Sequence, residues 1–203
     1  MTQLRLVLAT ANPDKAREIR AVVSGLAGDR IQLIERPATV PEVDETGETL
    51  EDNALLKAVA LSEATGSPAI ADDTGLEVAA LGGAPGVRSA RYSGEHATYS
   101  DNVAKLLREL AAAGARSDSE REARFRTVAL AYFPDGRRYV ADGAVDGFIS
   151  SAARGDHGFG YDPVFVPLGG DGRTFAEMSA EEKDATSHRG RAFRALAAGL
   201  LQI

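Results

Sequence analysis

Residues 4–23 of the chain read LRLVLATANPDKAREIRAVV, and this segment alone indicates the class of fold. The apolar run from Leu4 to Thr10 is bounded by Ala-Asn-Pro and predicts a buried strand. Asn12 suits the N-cap of a following helix, and Pro13 suits its first position because proline lacks an N–H that would stay unbonded there. A strand that runs directly into a helix is typical of an α/β fold.

The alternation of strand and helix patterns continues along the chain. Segments 31–34 and 68–71 are predicted strands, and apolar residues recur at helical spacing over 49–65. Segments 125–133 and 138–145 flank a Pro-Asp-Gly turn and predict a β-hairpin. A late hairpin after early strand–helix units predicts a mixed sheet. The other predicted elements are helices at 103–110 and 188–201, a glycine-rich loop at 82–94 and a short strand at 164–166.

Length and composition limit the class of protein. The 203 residues include no Cys, which excludes a disulfide scaffold and thiol chemistry. The net charge of −7 disfavours a duplex-DNA binder, whose affinity depends on neutralising phosphates. No repeat or linker is visible, so we expect one domain over residues 1–203. No signal sequence or membrane-length apolar run is present, and we therefore expect a soluble, cytoplasmic protein that binds neither membrane nor nucleic acid.

Two predicted helices begin with cations. Lys15 lies in the first turn after Asn12, and His188 and Arg189 follow the N-cap Ser187. The positive end of the helix dipole disfavours a cation by some tenths of a kcal/mol unless an anion lies nearby. We infer that both helix starts share one anionic ligand, and that exposed N–H groups after residue 10 help to bind it. The simpler alternative is that both are ordinary capped helices.

Adjacent carboxylates follow the predicted strand at 68–71. Neighbouring side chains of an extended chain point to opposite faces, so only one of Asp72 and Asp73 is expected to reach a given ligand. Ligands of open α/β sheets bind at the carboxyl ends of strands, which makes that acid a candidate metal ligand or general base. The alternative is an Asp-rich turn. Asp44 and Glu45, which precede the helix at 49–65, are further candidates.

The sequence GFGYDP at residues 158–163 combines glycines with aromatic residues. Glycines allow the backbone to approach a ligand closely, and Phe159 or Tyr161 offers a flat face on which a base can stack. A tight turn with a core aromatic residue is the alternative, and for Tyr161 the two interpretations have equal weight.

Several uncommon strings occur in a characteristic order: TANPDK at 10–15, ETGETLEDNA at 45–54, ADDTG at 71–75, FGYDP at 159–163 and SHRG at 187–190. In this order they resemble the inosine/xanthosine triphosphate pyrophosphatase family, over residues 6 to about 197. The resemblance implies Mg²⁺-dependent hydrolysis of ITP, dITP and XTP to the monophosphate and pyrophosphate by a homodimer. It also implies a two-lobed α/β fold around a long mixed sheet with flanking helices and a cleft between the lobes.

The resemblance assigns roles to individual residues. Asp73 would activate water and bind the metal, and Asp44 would be the second metal ligand, with Glu45 as the alternative. Thr74 stands where the family commonly has Ser. The substrate-binding residues implied are Thr10, Ala11, Asn12, Pro13, Asp14 and Lys15 for phosphate, Lys57 and Thr74, Phe159, Gly160, Tyr161 and Asp162 for the nucleoside, Lys183 for the base or phosphate side, and His188 and Arg189 for the purine.

Two other functions are compatible with the same residues. A related pyrophosphatase could act on a modified pyrimidine nucleotide through the same phosphate site. A non-catalytic nucleotide sensor would use Asp72 and Asp73 only to shape a turn.

Overall fold

The computed structural model describes residues 3–203, in which seven strands and five α-helices are connected by loops and short 3₁₀ turns. The strands are β1 (Leu4–Leu8), β2 (Ile31–Ile34), β3 (Ala69–Val78), β4 (Pro85–Gly86), β5 (Glu122–Tyr132), β6 (Arg138–Ile149) and β7 (Phe165–Pro167). The helices are α1 (Pro13–Ala27), α2 (Leu50–Thr65), α3 (Tyr99–Ala112), α4 (Ala180–Thr186) and α5 (His188–Leu200).

The strands form one mixed sheet in the order β2-β1-β3-β5-β6-β7, with β4 paired to β3. Strand β1 is parallel to both β2 and β3, whereas the β3–β4 and β6–β7 pairs are antiparallel. In the parallel part, Leu4 lies opposite Ile31 and Leu8 opposite Ile70. The predicted α/β class with a mixed sheet is therefore confirmed.

The chain divides into two compact units. The first contains the residues up to Asp73 together with Thr127–Gly143 and Ser187–Ile203, and the second contains Thr74–Arg126 and Ala144–Thr186. Each unit has its own apolar core. The core of the first includes Leu6, Leu8, Ile19, Val23, Ile70 and Phe193, and that of the second Leu76, Leu106, Phe125, Phe165 and Phe175. That residues 1–203 act as one domain with a cleft stays a prediction.

The helix starts follow the predicted caps. The Asn12 side chain accepts hydrogen bonds from the amides of Asp14 and Lys15, and Pro13 begins α1. Thr49 and Asp52 form a reciprocal capping box at the start of α2. These local bonds fix the first turns of the two helices from which Lys15 and Lys57 project.

One predicted boundary is wrong. The strand expected to end at residue 71 continues to Val78, so Asp72 and Asp73 lie in the middle of β3 and not at its end. Both carboxylates are almost fully buried. Burying a charge is costly unless it is paired and hydrogen-bonded, and here both side chains have cationic partners from elsewhere in the chain. The Asp-rich turn is therefore also wrong.

In the part of the chain that the structure describes, every helix is too short or too polar to span a bilayer.

Candidate active site

Asp72 is the centre of a buried ion network in the first unit. Its Oδ2 lies 3.3 Å from Lys15 Nζ and 3.4 Å from Arg189 Nε. Arg189 also donates from Nη1 to Glu18 Oε2 at 2.6 Å and is only 2% exposed. Lys15 of α1 and Arg189 of α5 thus contact one anion, the carboxylate of Asp72. That the two helix starts share an anionic ligand stays a prediction.

The same network controls the ionisation of Asp72. Burial favours the neutral acid, but the charges of Lys15, Arg189 and Lys57 outweigh burial and hold the pKa of Asp72 well below its usual value. Asp72 is therefore a permanent anion at neutral pH. Its electrostatic role is to neutralise the buried cations around it.

Asp73 lies next to Asp72 but has different partners. Its Oδ2 accepts a hydrogen bond from Asn53 Nδ2 at 3.1 Å, and its Oδ1 accepts one from Lys57 Nζ at 3.2 Å. Asn53 and Lys57 are four residues apart on α2 and therefore face the same side of that helix. The alternation of side chains along β3 thus presents Asp73 to α2, as expected for neighbouring residues of a strand.

Burial raises the pKa of Asp73, and the nearby carboxylates of Glu45 and Asp72 add to the shift. Lys57 and Lys15 act in the opposite direction without cancelling it. A carboxylate whose pKa is raised binds a proton more strongly than an exposed one. Asp73 is therefore better suited than Asp72 to accept a proton during a reaction.

Lys57 connects Asp73 to a third carboxylate. Its Nζ donates to Glu45 Oε1 at 2.7 Å as well as to Asp73. Burial lowers the pKa of Lys57, but Asp73, Asp72 and Glu45 more than compensate and the pKa is raised overall. Lys57 is a fixed positive charge between two carboxylates.

Asp44 is exposed, whereas Glu45 is half-buried and takes part in this cluster. Of the two acids that the sequence offers as a second metal ligand, the structure brings Glu45 together with Asp73 through their shared partner Lys57.

The residues around Asp73 have the donor chemistry of a magnesium site. Mg²⁺ prefers oxygen ligands and is commonly held by one or two carboxylates together with substrate phosphates. Asp73 and Glu45 supply two such carboxylates. Within residues 3–203, no group of three His, Cys, Asp or Glu side chains forms a complete metal site. The two carboxylates have the ligand chemistry that Mg²⁺ prefers, and binding of Mg²⁺ here stays a prediction.

In the turn before α1, backbone N–H groups donate to side chains of the same turn. Asn12 N donates to Thr10 Oγ1 at 3.2 Å, and the amides of Asp14 and Lys15 donate to Asn12 Oδ1. The N–H groups that we expected to be available to an anion are therefore capped by Asn12. Ala11 and Pro13 are exposed beside them. Binding of phosphate by residues 10–15 stays a prediction.

A second group of predicted residues lies in the second unit. Lys183 forms a buried ion pair with Asp162, and its Nζ lies 4.8 Å from the centroid of the Phe159 ring. Phe159 N donates to Asp162 Oδ2 at 2.7 Å, which fixes the turn through Gly160. The half-buried Phe159 ring thus has an ammonium group above it. The Tyr99 ring packs beside it at 5.8 Å between centroids.

Tyr161 and Thr74 belong to the same unit as Phe159 but have different surroundings. Tyr161 is buried in the core and its hydroxyl donates to the Ser89 carbonyl oxygen at 3.0 Å, which agrees with a core aromatic residue. Thr74 is half-buried in β3. His188, in the first unit, is buried at the first position of α5. Their contacts with a nucleotide stay predictions.

Asn53 and Glu18 are functional candidates that the sequence analysis missed. Asn53 lies in the ETGETLEDNA string, and its spacing of four residues from Lys57 was a usable signal. Glu18 reaches Arg189 across 171 positions of sequence, and no local pattern indicates that contact.

Comparison with known proteins gives consistent results. The model of the Ham1 family matches residues 6–199. A dITP/XTP pyrophosphatase of Streptomyces avermitilis is 48% identical over 194 residues, which are 95% of this chain and 94% of that protein. The corresponding protein of Thermus thermophilus is 47% identical, with 95% and 90% of the two chains covered.

Solved structures agree with the sequence relatives. A HAM1 protein from Coxiella burnetii has a TM-score of 0.87 and 39% identity, and the match covers 99% of this chain and 100% of that one. A dITP/XTP pyrophosphatase from Mycobacterium abscessus has a TM-score of 0.73 and 43% identity, with 97% and 99% covered. The resemblance stated from the motifs is confirmed, and the chain belongs to the Ham1 family.

Proposed function

We propose that this protein hydrolyses non-canonical purine nucleoside triphosphates (dITP, ITP and XTP) to the monophosphate and pyrophosphate with the help of Mg²⁺, which keeps these nucleotides out of nucleic acid. The observation that carries the proposal is the buried Asp73, whose carboxylate accepts hydrogen bonds from Asn53 and Lys57. The names of its relatives, dITP/XTP pyrophosphatases, supply the substrate class.

Asp73 would act as the general base. A water oxygen forms a bond to the α-phosphorus, the bond from that phosphorus to the bridging oxygen breaks, and pyrophosphate leaves with the bonding electrons. The water proton passes to Asp73 Oδ1 or Oδ2. Hydrolysis by this route needs no covalent intermediate on the protein, and general-base assistance contributes roughly 10²–10⁴-fold to a rate.

Lys57 and Lys15 would supply fixed positive charge near Asp73. Positioned charges that face the developing negative charge of a transition state are a large source of rate enhancement, because they need not reorganise during the reaction. Asn53 holds Asp73 through Oδ2 and so fixes the orientation of the carboxylate. Asp72 keeps Lys15 and Arg189 in place.

Glu45 and Asp73 would hold Mg²⁺, with the exposed Asp44 as the alternative to Glu45. Bound Mg²⁺ would neutralise charge on the phosphate oxygens of the substrate. Lys57 already bonds both carboxylates and keeps them close to one another.

Base recognition is assigned to Phe159 and its neighbours. The half-buried Phe159 ring, with the Lys183 ammonium 4.8 Å from its centroid, is suited to stack on an aromatic base. A 6-oxo purine offers an acceptor where adenine has an amino donor, and a site built around a donor rejects adenine because two donors would then face each other. The homodimer implied by the resemblance is part of the proposal and is tested by light scattering.

The test is a substrate panel in which phosphate is detected with and without added inorganic pyrophosphatase. We expect dITP and XTP to release orthophosphate only after that enzyme is added, because the direct product is pyrophosphate. Orthophosphate as the direct product would contradict the proposal. Preference for methylated dUTP over dITP would favour the pyrimidine alternative, and binding without turnover would favour the sensor.

A further inference from the structure

Tyr99 is an exposed aromatic residue at the first position of α3, in the second unit. It is 42% exposed, and its ring packs against the half-buried Phe159 with 5.8 Å between centroids and 43° between the ring planes. Single exposed apolar side chains are common on protein surfaces and need no functional explanation. Tyr99 differs from them because its ring extends the aromatic surface of a residue to which base recognition is assigned.

The backbone that carries Tyr99 is fixed by the cap of α3. The Thr98 hydroxyl accepts a hydrogen bond from the Asp101 amide at 3.2 Å, and the Asp101 carboxylate accepts one from the Thr98 amide at 2.9 Å. This reciprocal capping box holds the first turn of the helix. A tyrosine side chain has only two rotatable χ angles, so a ring on a fixed backbone offers contact area to a ligand at a small cost in conformational entropy.

The Phe159 ring is held in place from the other elements of the same unit. Its backbone amide donates to Asp162 Oδ2 at 2.7 Å, and Lys183 Nζ, which is paired with Asp162, lies 4.8 Å from the ring centroid. The Lys183 ammonium therefore covers part of the Phe159 ring. Tyr99 adds an aromatic surface that is more exposed than Phe159 itself.

The angle between the two rings determines which bases fit them best. Every nucleobase has a flat π face that can stack on an aromatic side chain. Because the two ring planes differ by 43°, a flat base that stacks on one ring contacts the other with its edge. A purine, with two fused rings, reaches across both side chains further than the single ring of a pyrimidine. The pair therefore favours purines through contact area.

We propose that Tyr99 is a specificity-determining residue, whose ring contacts the base beside Phe159 and favours purine over pyrimidine nucleotides. The proposal rests on the proposed function, because it assigns a further residue to the same reaction. The aromatic ring of Tyr99 is the part that acts, and its hydroxyl is not needed. Hydrogen bonds to the base edge distinguish a 6-oxo from a 6-amino group, whereas the ring pair distinguishes bases by their size.

The test is calorimetric titration of dITP, dUTP and inorganic tripolyphosphate, each in separate experiments, into the full-length protein with EDTA present to prevent hydrolysis. We expect Tyr99→Ala to weaken binding of dITP about tenfold and of dUTP at most about threefold, because stacking on the ring is lost and a purine loses more contact area. Binding of tripolyphosphate should not change, because that ligand has no base. Tyr99→Phe keeps the ring and should bind all three ligands as the unaltered protein does.

The matched control is Tyr139→Ala. Tyr139 forms a ring pair with Phe133 at 5.7 Å between centroids, but in the first unit, and its loss should leave all three affinities unchanged.

The role of Tyr99 is overturned if Tyr99→Ala binds dITP as tightly as the unaltered protein, or if it weakens dITP, dUTP and tripolyphosphate equally, which would indicate a structural effect. It is also overturned if Tyr99→Phe loses as much affinity as Tyr99→Ala. An unaltered protein that binds dITP without releasing pyrophosphate would contradict the proposed function, and the titrations would still decide whether Tyr99 contacts the base.

Discussion

Asp72 and Asp73 are adjacent in β3 and both are buried, yet their neighbours shift their pKa values in opposite directions. Lys15 and Arg189 contact Asp72 and keep it ionised, whereas burial of Asp73 beside other carboxylates favours its protonated form. Two carboxylates whose environments separate their pKa values commonly have different chemical roles. This difference supports the proposal that Asp73 accepts the proton while Asp72 neutralises the buried cations.

Removal of the Lys57 ammonium, which bonds both Glu45 and Asp73, tests the proposed role of the Asp73 cluster in the reaction. We expect Lys57→Gln to lower kcat for dITP by roughly 10²–10³-fold, because a positioned charge is lost from the reacting centre. Lys105→Gln is the matched control: Lys105 lies on α3 and contacts the Tyr92 carbonyl oxygen. Steady-state kinetics of both variants give the comparison, and full activity of Lys57→Gln would remove Lys57 from the mechanism.

Glu120 provides a pH-dependent test away from the site. Hydrogen bonds from the amides of Ser117 and Arg116 lower the pKa of Glu120 to about 2 from its ordinary value of 4.5. Because the folded-state pKa is lower, the carboxylate stabilises the folded protein above pH 4.5, and this contribution disappears as the pH falls towards 2.

We therefore expect the carboxyl resonance of Glu120 to show no titration between neutral pH and about pH 3. Glu120→Gln should reduce the loss of stability over the same acidic range, as measured by urea unfolding. Titration of Glu120 near its ordinary pKa would show that the capping bonds are absent.

Among the elements of secondary structure, the starts of helices are predicted from the sequence better than the ends of strands. Asn12, Thr49 and Ser187 cap their helices as expected, because capping depends on residues two or three positions apart. The end of β3 is harder to predict, because Asp72 and Asp73 can be buried inside the strand only when cations from other elements pair with them. Helix α4 was not predicted because its seven residues, AEEKDAT, have no apolar periodicity.

Gly143→Ala tests the packing of β6 against α5, and Gly25→Ala in α1 is a comparison for which the opposite sign is expected. A Cβ at Gly143 would lie 2.1 Å from the His188 carbonyl oxygen, so Gly143→Ala should lower the free energy of unfolding by about 1–3 kcal/mol. Gly25 in α1 has no atom within 4 Å of an added Cβ, and Gly25→Ala should stabilise the protein by roughly 0.5–1 kcal/mol. Urea unfolding measures both, and a neutral Gly143→Ala would contradict the close approach.

The fold class of the whole molecule can be predicted from its strand and helix patterns. Which side chains contact one another in the site cannot be predicted in the same way. Asp73, Lys57 and Lys15 could be selected from the sequence because their motifs are distinctive. The contact of Asp72 with Arg189 joins residues 117 positions apart, and only the folded chain shows it. The sequence offers Glu45 as an alternative to Asp44, and only the folded chain shows that Glu45 and Asp73 share Lys57 as a partner. Which of the two acids binds a metal stays a prediction.

The central claim is that Asp73 is the base of a pyrophosphate-releasing hydrolase, and Asp73→Asn tests it most directly. The substitution keeps the shape of the side chain but removes its ability to accept the proton of water. We predict that dITP still binds within a few-fold of the original affinity while turnover falls by roughly 10²–10⁴-fold. Pyrophosphate release by Asp73→Asn at the rate of the unaltered protein would contradict the claim.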